Sequence, residues 1–470
     1  MQNFWGFEVW GNFCLIAVLL ISLLLANALK KTVVFIRESL IPTSVLGGLI
    51  LLVISAIYTG VTNRQLFNES FFGGNGMNLL EIITYHALAL GFIATGLKTS
   101  DKKLTKQRNK EIFNTGVTTV STYLLQGFVG LGITIIASLI LENFFAAAGI
   151  LLPFGYGQGT GQALNYGSIY ESDHAFVGGK SFGLTIAALG FISASIGGVI
   201  HLNILKKKGL VKTLSVKENK LSSEEVQAED EIPMNGSMDK LTVQLAIIAV
   251  TYFLAYFLMY GLGRLLPGMK SVIFGFNFLF GVLFAALVKL VLKLAKSKSI
   301  VKKQYLNNFL LNRIGNCFFD IMVVAGIAAI RLDVLKNYWV IILILGVVGL
   351  FITYFYNYFV AKTLFKEYRE EQFLMMYGML TGTASTGVIL LREIDEDFKT
   401  PAADNLVYQN FPAIVFGFPL MLLATLAPTE PILTFVILLV FFMVMNVLLF
   451  REQIFKGKNK AVEEPYSDNK

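Results

Sequence analysis

Two polar, glycine-rich stretches interrupt an otherwise apolar sequence. The first, Gly155–Gln162, reads GYGQGTGQ, and the second, Gly378–Gly387, reads GMLTGTASTG. Glycine-rich turns and helix N-termini present N–H donors that suit a carboxylate, whereas freed carbonyls and Thr or Ser hydroxyls supply oxygen ligands for Na⁺. The two stretches therefore have the chemistry of a site for a small anion and a hard cation.

Backbone of this kind cannot face lipid, because each unpaired N–H or C=O group in hydrocarbon carries a large free-energy cost. Two such interruptions in corresponding halves of a membrane chain indicate the binding site of a secondary transporter. A simpler interpretation, that the glycines only allow close helix packing, applies better to one motif than to two. The expected substrate-binding residues are Gly157, Gln158, Gly159, Thr160, Gly161, Gln162, Asn165, Thr381, Gly382, Thr383, Ser385, Thr386 and Gly387.

Asp320 is the main ion-coupling candidate outside the two stretches. It lies in a predicted span, where a carboxylate is costly unless it is paired or faces a cavity, so we expect it to bind Na⁺ or take up a proton. Alternatively, the span begins later and Asp320 lies at the interface with Arg313. The further ion-coupling candidates are Asn316, Thr160 and Thr383, and the sequence leaves the Na⁺ ligands open.

The composition is that of a polytopic membrane protein. Of the 470 residues, 55% are hydrophobic and 15% are charged, with a mean hydropathy of +0.65. A soluble domain carries about 25% charged residues. The net charge of +8 arises from loop residues that report orientation in the lipid bilayer, so we expect no nucleic-acid partner.

Apolar runs define the membrane spans, since about 20 such residues cross the hydrocarbon. Spans are predicted at residues 9–29, 41–59, 79–97, 116–141, 181–204, 241–262, 270–293, 311–332, 337–361, 405–427 and 431–450. The segments 144–168 and 373–390, which carry the glycine-rich motifs, are too short and too broken to cross the membrane twice. We therefore expect re-entrant hairpins there.

The basic residues support this topology, because cytoplasmic loops carry an excess of Lys and Arg. The predicted outer side holds only Arg64, Lys180, Arg264, Lys270, Arg331 and Lys336. This bias requires both hairpins to be re-entrant, the first dipping in from outside and the second from the cytoplasm. The N-terminus is then outside and the C-terminus is cytoplasmic.

The expected fold class is an all-α polytopic membrane protein with two inverted repeats, each of five transmembrane helices and one re-entrant hairpin. The repeats cover residues 9–205 and 241–427, and a solvated cytoplasmic linker, 206–240, joins them. An extra helix at 431–450 and a polar cytoplasmic tail at 451–470 follow. A weak similarity between residues 89–94 (ALGFIA) and 323–328 (VVAGIA) supports the pairing of the halves.

At the level of motifs, the chain resembles the bacterial sodium/glutamate symporter family as a distant member. The resemblance lies in residues 41–49 (IPTSVLGGL) and in the two glycine-rich stretches, and it extends over about residues 10–430. It implies a homodimer in which a transport part slides as an elevator against a scaffold. Gln158 stands where the family usually has histidine, the second stretch lacks a usual proline, and residues 431–450 look like an addition.

The resemblance and the motifs together predict Na⁺-coupled symport of glutamate or a related small carboxylate across the cell inner membrane. A proton-coupled organic-anion carrier or exporter, with Asp320 titrating, is the alternative. A second alternative is a channel-like protein without coupled accumulation. We expect no enzyme and no cofactor other than Na⁺ as the coupling ion, because the chain lacks the phosphate-binding GxxxxGK[ST] motif and Gly155–Gly161 lacks a βαβ context.

Overall fold

The computed structural model describes residues 4–99, 105–209, 231–234, 237–395 and 399–454, with the side chain at 411 excepted. Most of the predicted linker and nearly all of the tail lie outside these ranges. The described part is helical and contains no strand, only one isolated bridge between Glu231 and Gln304. This result confirms the all-helical class.

The helices are numbered here in chain order. They are α1 Phe7–Thr32, α2 Val34–Glu38, α3 Thr43–Thr62, α4 Gly76–Leu97, α5 Lys106–Ile140, α6 Leu151–Tyr156, α7 Thr160–Asp173, α8 Gly179–Lys207, α9 Lys240–Leu265, α10 Lys270–Gly275, α11 Asn277–Ser297, α12 Asn308–Ala328, α13 Trp339–Leu364, α14 Arg369–Thr381, α15 Ala384–Arg392, α16 Ala402–Tyr408, α17 Asn410–Leu426 and α18 Pro431–Leu449.

Ten helices of the described part are long and apolar enough to cross a membrane, and each coincides with a predicted span. The predicted span 270–293 is interrupted, since α10 ends at Gly275 before α11 begins. The predicted span 405–427 is a bent pair: Ala402–Tyr408 and Pro412–Leu426 meet at 52°. Pro412 lacks an N–H and crowds the preceding turn, which accounts for the break.

The long helices form two groups. The first bundle comprises α1 to α4 and α9 to α12, in which α4 packs on α11 and α12, while α12 packs on α3 and α4. The second bundle comprises α5 to α8 and α13 to α18. Helix α7 makes most of the contacts between the bundles, with α4, α10 and α12.

The first bundle repeats one helix contact in its two halves. A Cβ built on Gly48 of α3 would lie 2.7 Å from Ile327 Cβ in α12, and one built on Gly281 of α11 would lie 2.7 Å from Ile93 Cγ1 in α4. Each close approach depends on the missing glycine side chain. The two isoleucines occupy matching positions in the similar tracts 89–94 and 323–328.

The second bundle is built around α8. In an 18-residue apolar stretch of α8, 72% of the residues are buried, whereas the share is at most 50% in the other described spans. Helix α8 is therefore the most central of these helices. Helices α6, α7, α13 and α14 all pack on it. The glycine-rich segments thus lie against the most protected helix.

The C-terminal end of the predicted linker differs from the expectation of a solvated loop. Glu231 is buried, and its carboxylate lies 2.7 Å from the ammonium of Lys240, which is completely buried. Asn307 Nδ2 donates to the same carboxylate oxygen at 2.6 Å. This ion pair fixes the chain that precedes α9 to the first bundle.

Candidate functional site

The first glycine-rich stretch is a break between two half-helices. Helix α6 ends at Tyr156 and α7 begins at Thr160, and Gly159 between them has φ +79° and ψ −170°, a conformation open essentially only to glycine. Phe145 before α6 stacks on Phe176 after α7, with ring centroids 4.6 Å apart. The segment therefore begins and ends on the same side of the bundle; we call α6, the break and α7 the first hairpin.

The second stretch has the same construction, with its break between Thr381 of α14 and Ala384 of α15. A Cβ built on Gly378 would lie 2.8 Å from Gly387 Cα, so the two half-helices pack with their backbones almost in contact. We call α14, the break and α15 the second hairpin. The glycines at both positions are needed for this close approach.

The breaks of the two hairpins meet near the middle of α8. A Cβ on Gly190 would lie 2.6 Å from the carbonyl oxygen of Thr381 and 3.1 Å from the ring of Tyr156. A Cβ on Gly159 would lie 3.3 Å from Thr383 Cγ2. The two polar stretches, which are far apart in sequence, thus form one junction.

The hairpins approach this junction from opposite ends of α8. The first contacts the start of the helix, where a Cβ on Gly167 would lie 2.5 Å from the Gly179 carbonyl oxygen. The second contacts the later part, where Tyr377 of α14 lies against Gly197 and donates from its hydroxyl to the Ser193 carbonyl oxygen at 2.7 Å. The junction is therefore shielded along α8 in both directions.

The predicted substrate-binding residues divide into three groups. At the junction itself lie Gly157, Gly159, Thr160, Thr381, Gly382 and Thr383, of which all but Thr383 are buried. Gln158 and Ser385 are half-buried at the breaks. Away from the junction, Gly161 packs on α4 and α12, Gln162 and Asn165 lie on the side of α7 nearest Gly275, and Thr386 and Gly387 pack within the second hairpin.

The N-terminus of α7 has no side-chain cap within the part of the chain that the structure describes. Its N-cap is Gly159, which has no side chain to accept from the first N–H groups of the helix. Gln162 in the same turn is fully buried, and its Nε2 has no hydrogen-bond partner among the described residues, although its Oε1 accepts from Asn165 at 3.3 Å. Backbone and side chain together offer N–H groups to an anion.

The N-terminus of α15 differs, because it is capped from within. The Thr383 side chain accepts from the backbone of Thr386, and the Thr386 hydroxyl accepts from the Thr383 N–H at 3.4 Å. This capping box satisfies donors that the sequence assigned to substrate. Of the two helix starts at the junction, the start of α15 is thus capped by side chains and the start of α7 is not.

The two ion-coupling candidates on α12 lie away from the junction. Thr160 contacts α12 through a hydroxyl that donates to the Met322 carbonyl oxygen at 3.3 Å. Asp320, two residues earlier, points about 200° around the helix from Met322. Asp320 and Asn316 are both exposed in the single chain. Their role in ion coupling stays a prediction.

The sequence analysis missed Gln126, which reaches the second hairpin from α5. Its Nε2 donates to the Leu380 carbonyl oxygen at 2.9 Å and to Thr353 Oγ1 of α13 at 2.8 Å. Hydropathy predicts only that the part of α5 containing Gln126 spans the membrane. The available signal was the stripe of polar residues at helical spacing on one helix, namely Thr115, Thr118, Thr119, Thr122 and Gln126.

Comparison with known proteins agrees with this arrangement. No curated protein matches the chain. The family model described as sodium/glutamate symporter matches residues 11–398, which include both hairpins, α8 and all of the first bundle except the first four residues of α1. Members of such a family are transporters, and the name implies coupling to Na⁺. On this match, the chain belongs to the sodium/glutamate symporter family.

Proposed function

We propose that this protein is a secondary active transporter that couples Na⁺ entry to uptake of glutamate or a related small carboxylate. The observation that carries the proposal is the start of α7 at the junction of the two hairpins, which has no side-chain cap. Gln162 Nε2, which has no partner among the described residues, lies in the same first turn of α7 and adds a buried N–H donor. A carboxylate at that position is stabilised by the helix dipole and by these donors. The substrate's other groups would meet the half-buried Gln158 and Ser385.

Inverted repeats and an elevator movement belong to the same proposal. The reciprocal contacts of α4 with α11 and of α12 with α3 support an inverted symmetry, as do the paired contacts Gly48–Ile327 and Gly281–Ile93. The second bundle, which carries both hairpins, would then slide against the first bundle. In the bilayer, the protein would act as a homodimer, as the resemblance to the family implies.

The exposure of the two hairpins supports a carrier that is open on the side of the second hairpin. Gly159 and Thr160 are buried, and the first hairpin packs on α12, whereas Ala384 in the second hairpin is exposed. On the far side, Glu81 of α4 pairs with Lys180 of α8 at 2.9 Å and with Arg331 after α12 at 3.2 Å. If the basic loops are cytoplasmic, as the sequence predicts, this state would face inward.

The direct test is uptake into liposomes containing the purified protein. We expect an inward Na⁺ gradient to drive accumulation of glutamate or another small amino or organic acid, and equal Na⁺ on both sides to abolish it. The comparison experiment replaces the inward Na⁺ gradient by an inward proton gradient without Na⁺. If the proton gradient alone drives accumulation, or neither gradient does, the proposed Na⁺ symport is wrong.

Gln162→Leu is expected to weaken substrate binding by about 10- to 100-fold, since a hydrogen bond to a charged group contributes about 1.5–3 kcal/mol. The measurement is the substrate concentration that gives half-maximal uptake at saturating Na⁺. Gln244→Leu is the control, because Gln244 is equally buried but lies in α9 and donates to the Tyr305 carbonyl oxygen at 2.8 Å. If the half-saturation concentration is unchanged in Gln162→Leu, the Gln162 amide does not bind the substrate.

A further inference from the structure

A buried polar stripe runs along α5 beneath the second hairpin. Its members recur every three or four residues and therefore share one face of the helix. Thr118, Thr122 and Gln126 are at most 2% exposed. They face Thr353 and Asn357 of α13, which are equally buried. Polar side chains this deep in a membrane protein are costly unless they are paired or functional.

The amide of Gln126 is only half satisfied. Its nitrogen donates to Thr353 Oγ1 and to the Leu380 carbonyl oxygen, while its Oε1 has no partner among the described residues. The orientation is fixed by Leu380, because the opposite flip would bring two carbonyl oxygens together. The free atom is therefore an acceptor.

Asn357 repeats this arrangement one helical turn along α13. Its Nδ2 donates to the Thr353 carbonyl oxygen at 2.9 Å and to Thr122 Oγ1 at 3.4 Å. Its Oδ1 likewise has no partner in the described part of the chain. Both amides are thus anchored on Thr353, and each keeps an oxygen free in the same polar layer.

Unpaired buried acceptors cost about 1–3 kcal/mol each, so the layer is incomplete without a ligand. The free atoms are neutral oxygens, with Thr hydroxyl and backbone carbonyl oxygens beside them. Hard cations prefer such all-oxygen sites, and a site without a carboxylate suits a monovalent ion. A buried water molecule would also donate to these oxygens, and experiment must separate the two.

We propose that a coupling Na⁺ binds between α5 and α13, with Gln126 Oε1 and Asn357 Oδ1 as ligands. This inference rests on the proposed symport function. Gln126 also holds Leu380, directly before the break of the second hairpin. Na⁺ at this position would fix the Gln126 amide, and with it the break that forms one half of the substrate junction. Ion binding and substrate binding would then favour the same hairpin conformation.

The test measures Na⁺ binding without transport. Purified protein is melted across a range of NaCl at constant ionic strength, balanced with choline chloride, since a ligand that binds the folded state raises the apparent Tm. We expect the wild type to be stabilised by Na⁺. In Gln126→Met and, independently, Asn357→Leu, the Na⁺ concentration for half-maximal stabilisation should rise at least about tenfold, equivalent to about 1.4 kcal/mol.

Gln244→Met is the matched control, because it removes an equally buried glutamine from α9 and should leave the Na⁺ midpoint unchanged. If Gln126→Met and Asn357→Leu both fold and keep the wild-type Na⁺ midpoint, the layer holds only water and the site assignment is wrong. Should one variant fail to fold, the other decides in the same way. Failure of Na⁺-driven uptake by the wild type would instead contradict the proposed function itself.

Discussion

Gly159→Ala is expected to abolish transport while the protein stays folded. The φ of +79° and ψ of −170° at Gly159 strain any other residue by about 1–3 kcal/mol, and the added Cβ would lie 3.3 Å from Thr383 Cγ2. Either the start of α7 rotates or the second hairpin retreats. Both displace the N–H donors, so the initial rate of Na⁺-driven uptake should fall by at least about tenfold.

Gly74→Ala is the control for backbone strain alone. Gly74 has φ +77° in the loop before α4, and a Cβ there would meet nothing within 4 Å. This variant carries a side chain at positive φ without any new contact, so it should lose some stability but transport at close to the wild-type rate. Equal uptake by the Gly159 and Gly74 variants would mean that the junction of the hairpins does not carry the substrate.

Lys240→Met is expected to lower the free energy of unfolding by about 3–5 kcal/mol, because it removes the ammonium that lies 2.7 Å from the buried Glu231 carboxylate. Thermal or denaturant unfolding in detergent measures the loss. Glu231→Gln combined with Lys240→Met should recover part of it, since the buried carboxylate charge is then removed together with the ammonium. A loss in the double variant as large as in the single variant would contradict this explanation.

The pair Lys110–Glu452 provides the comparison, because its side chains are 44% and 34% exposed. Lys110→Met should change the stability by less than about 1 kcal/mol, as is usual for solvated ion pairs. If Lys110→Met and Lys240→Met lowered the free energy of unfolding by similar amounts, burial of the Glu231–Lys240 pair would not explain its effect on stability.

The helices and breaks could be predicted from sequence because their signals are local. Apolar length determines a span, and the dense glycines in residues 155–162 and 378–387 weaken a helix locally. The ten spans and the family followed from such signals. The bend near Pro412 also has a local cause, but hydropathy alone predicts a single straight span there.

The details of the site depend on neighbours that the sequence does not reveal. The sequence predicted both Thr383 and Thr160 as substrate-binding and ion-coupling residues. In the structure, Thr383 belongs to a capping box, whereas the Thr160 hydroxyl donates to a carbonyl oxygen of α12. Asp320 became a candidate because of its charge. The direction of its side chain depends on which faces of α12 are covered by α3 and α4, and the sequence does not show this. Gln126 was overlooked because hydropathy averages over a span and cannot say which face is buried.

If the bundles slide as proposed, Glu81 would give transport a second dependence on salt, distinct from ion coupling. Sliding of the bundles would separate its carboxylate from Lys180, and the pair is partly exposed, with Lys180 at 27% and Glu81 at 11%. Ionic strength screens such a contact, whatever the identity of the ions. The ratio of inward-facing to outward-facing molecules should therefore shift with choline chloride as well as with NaCl, so a Na⁺ titration at variable ionic strength would combine two separate equilibria in one curve.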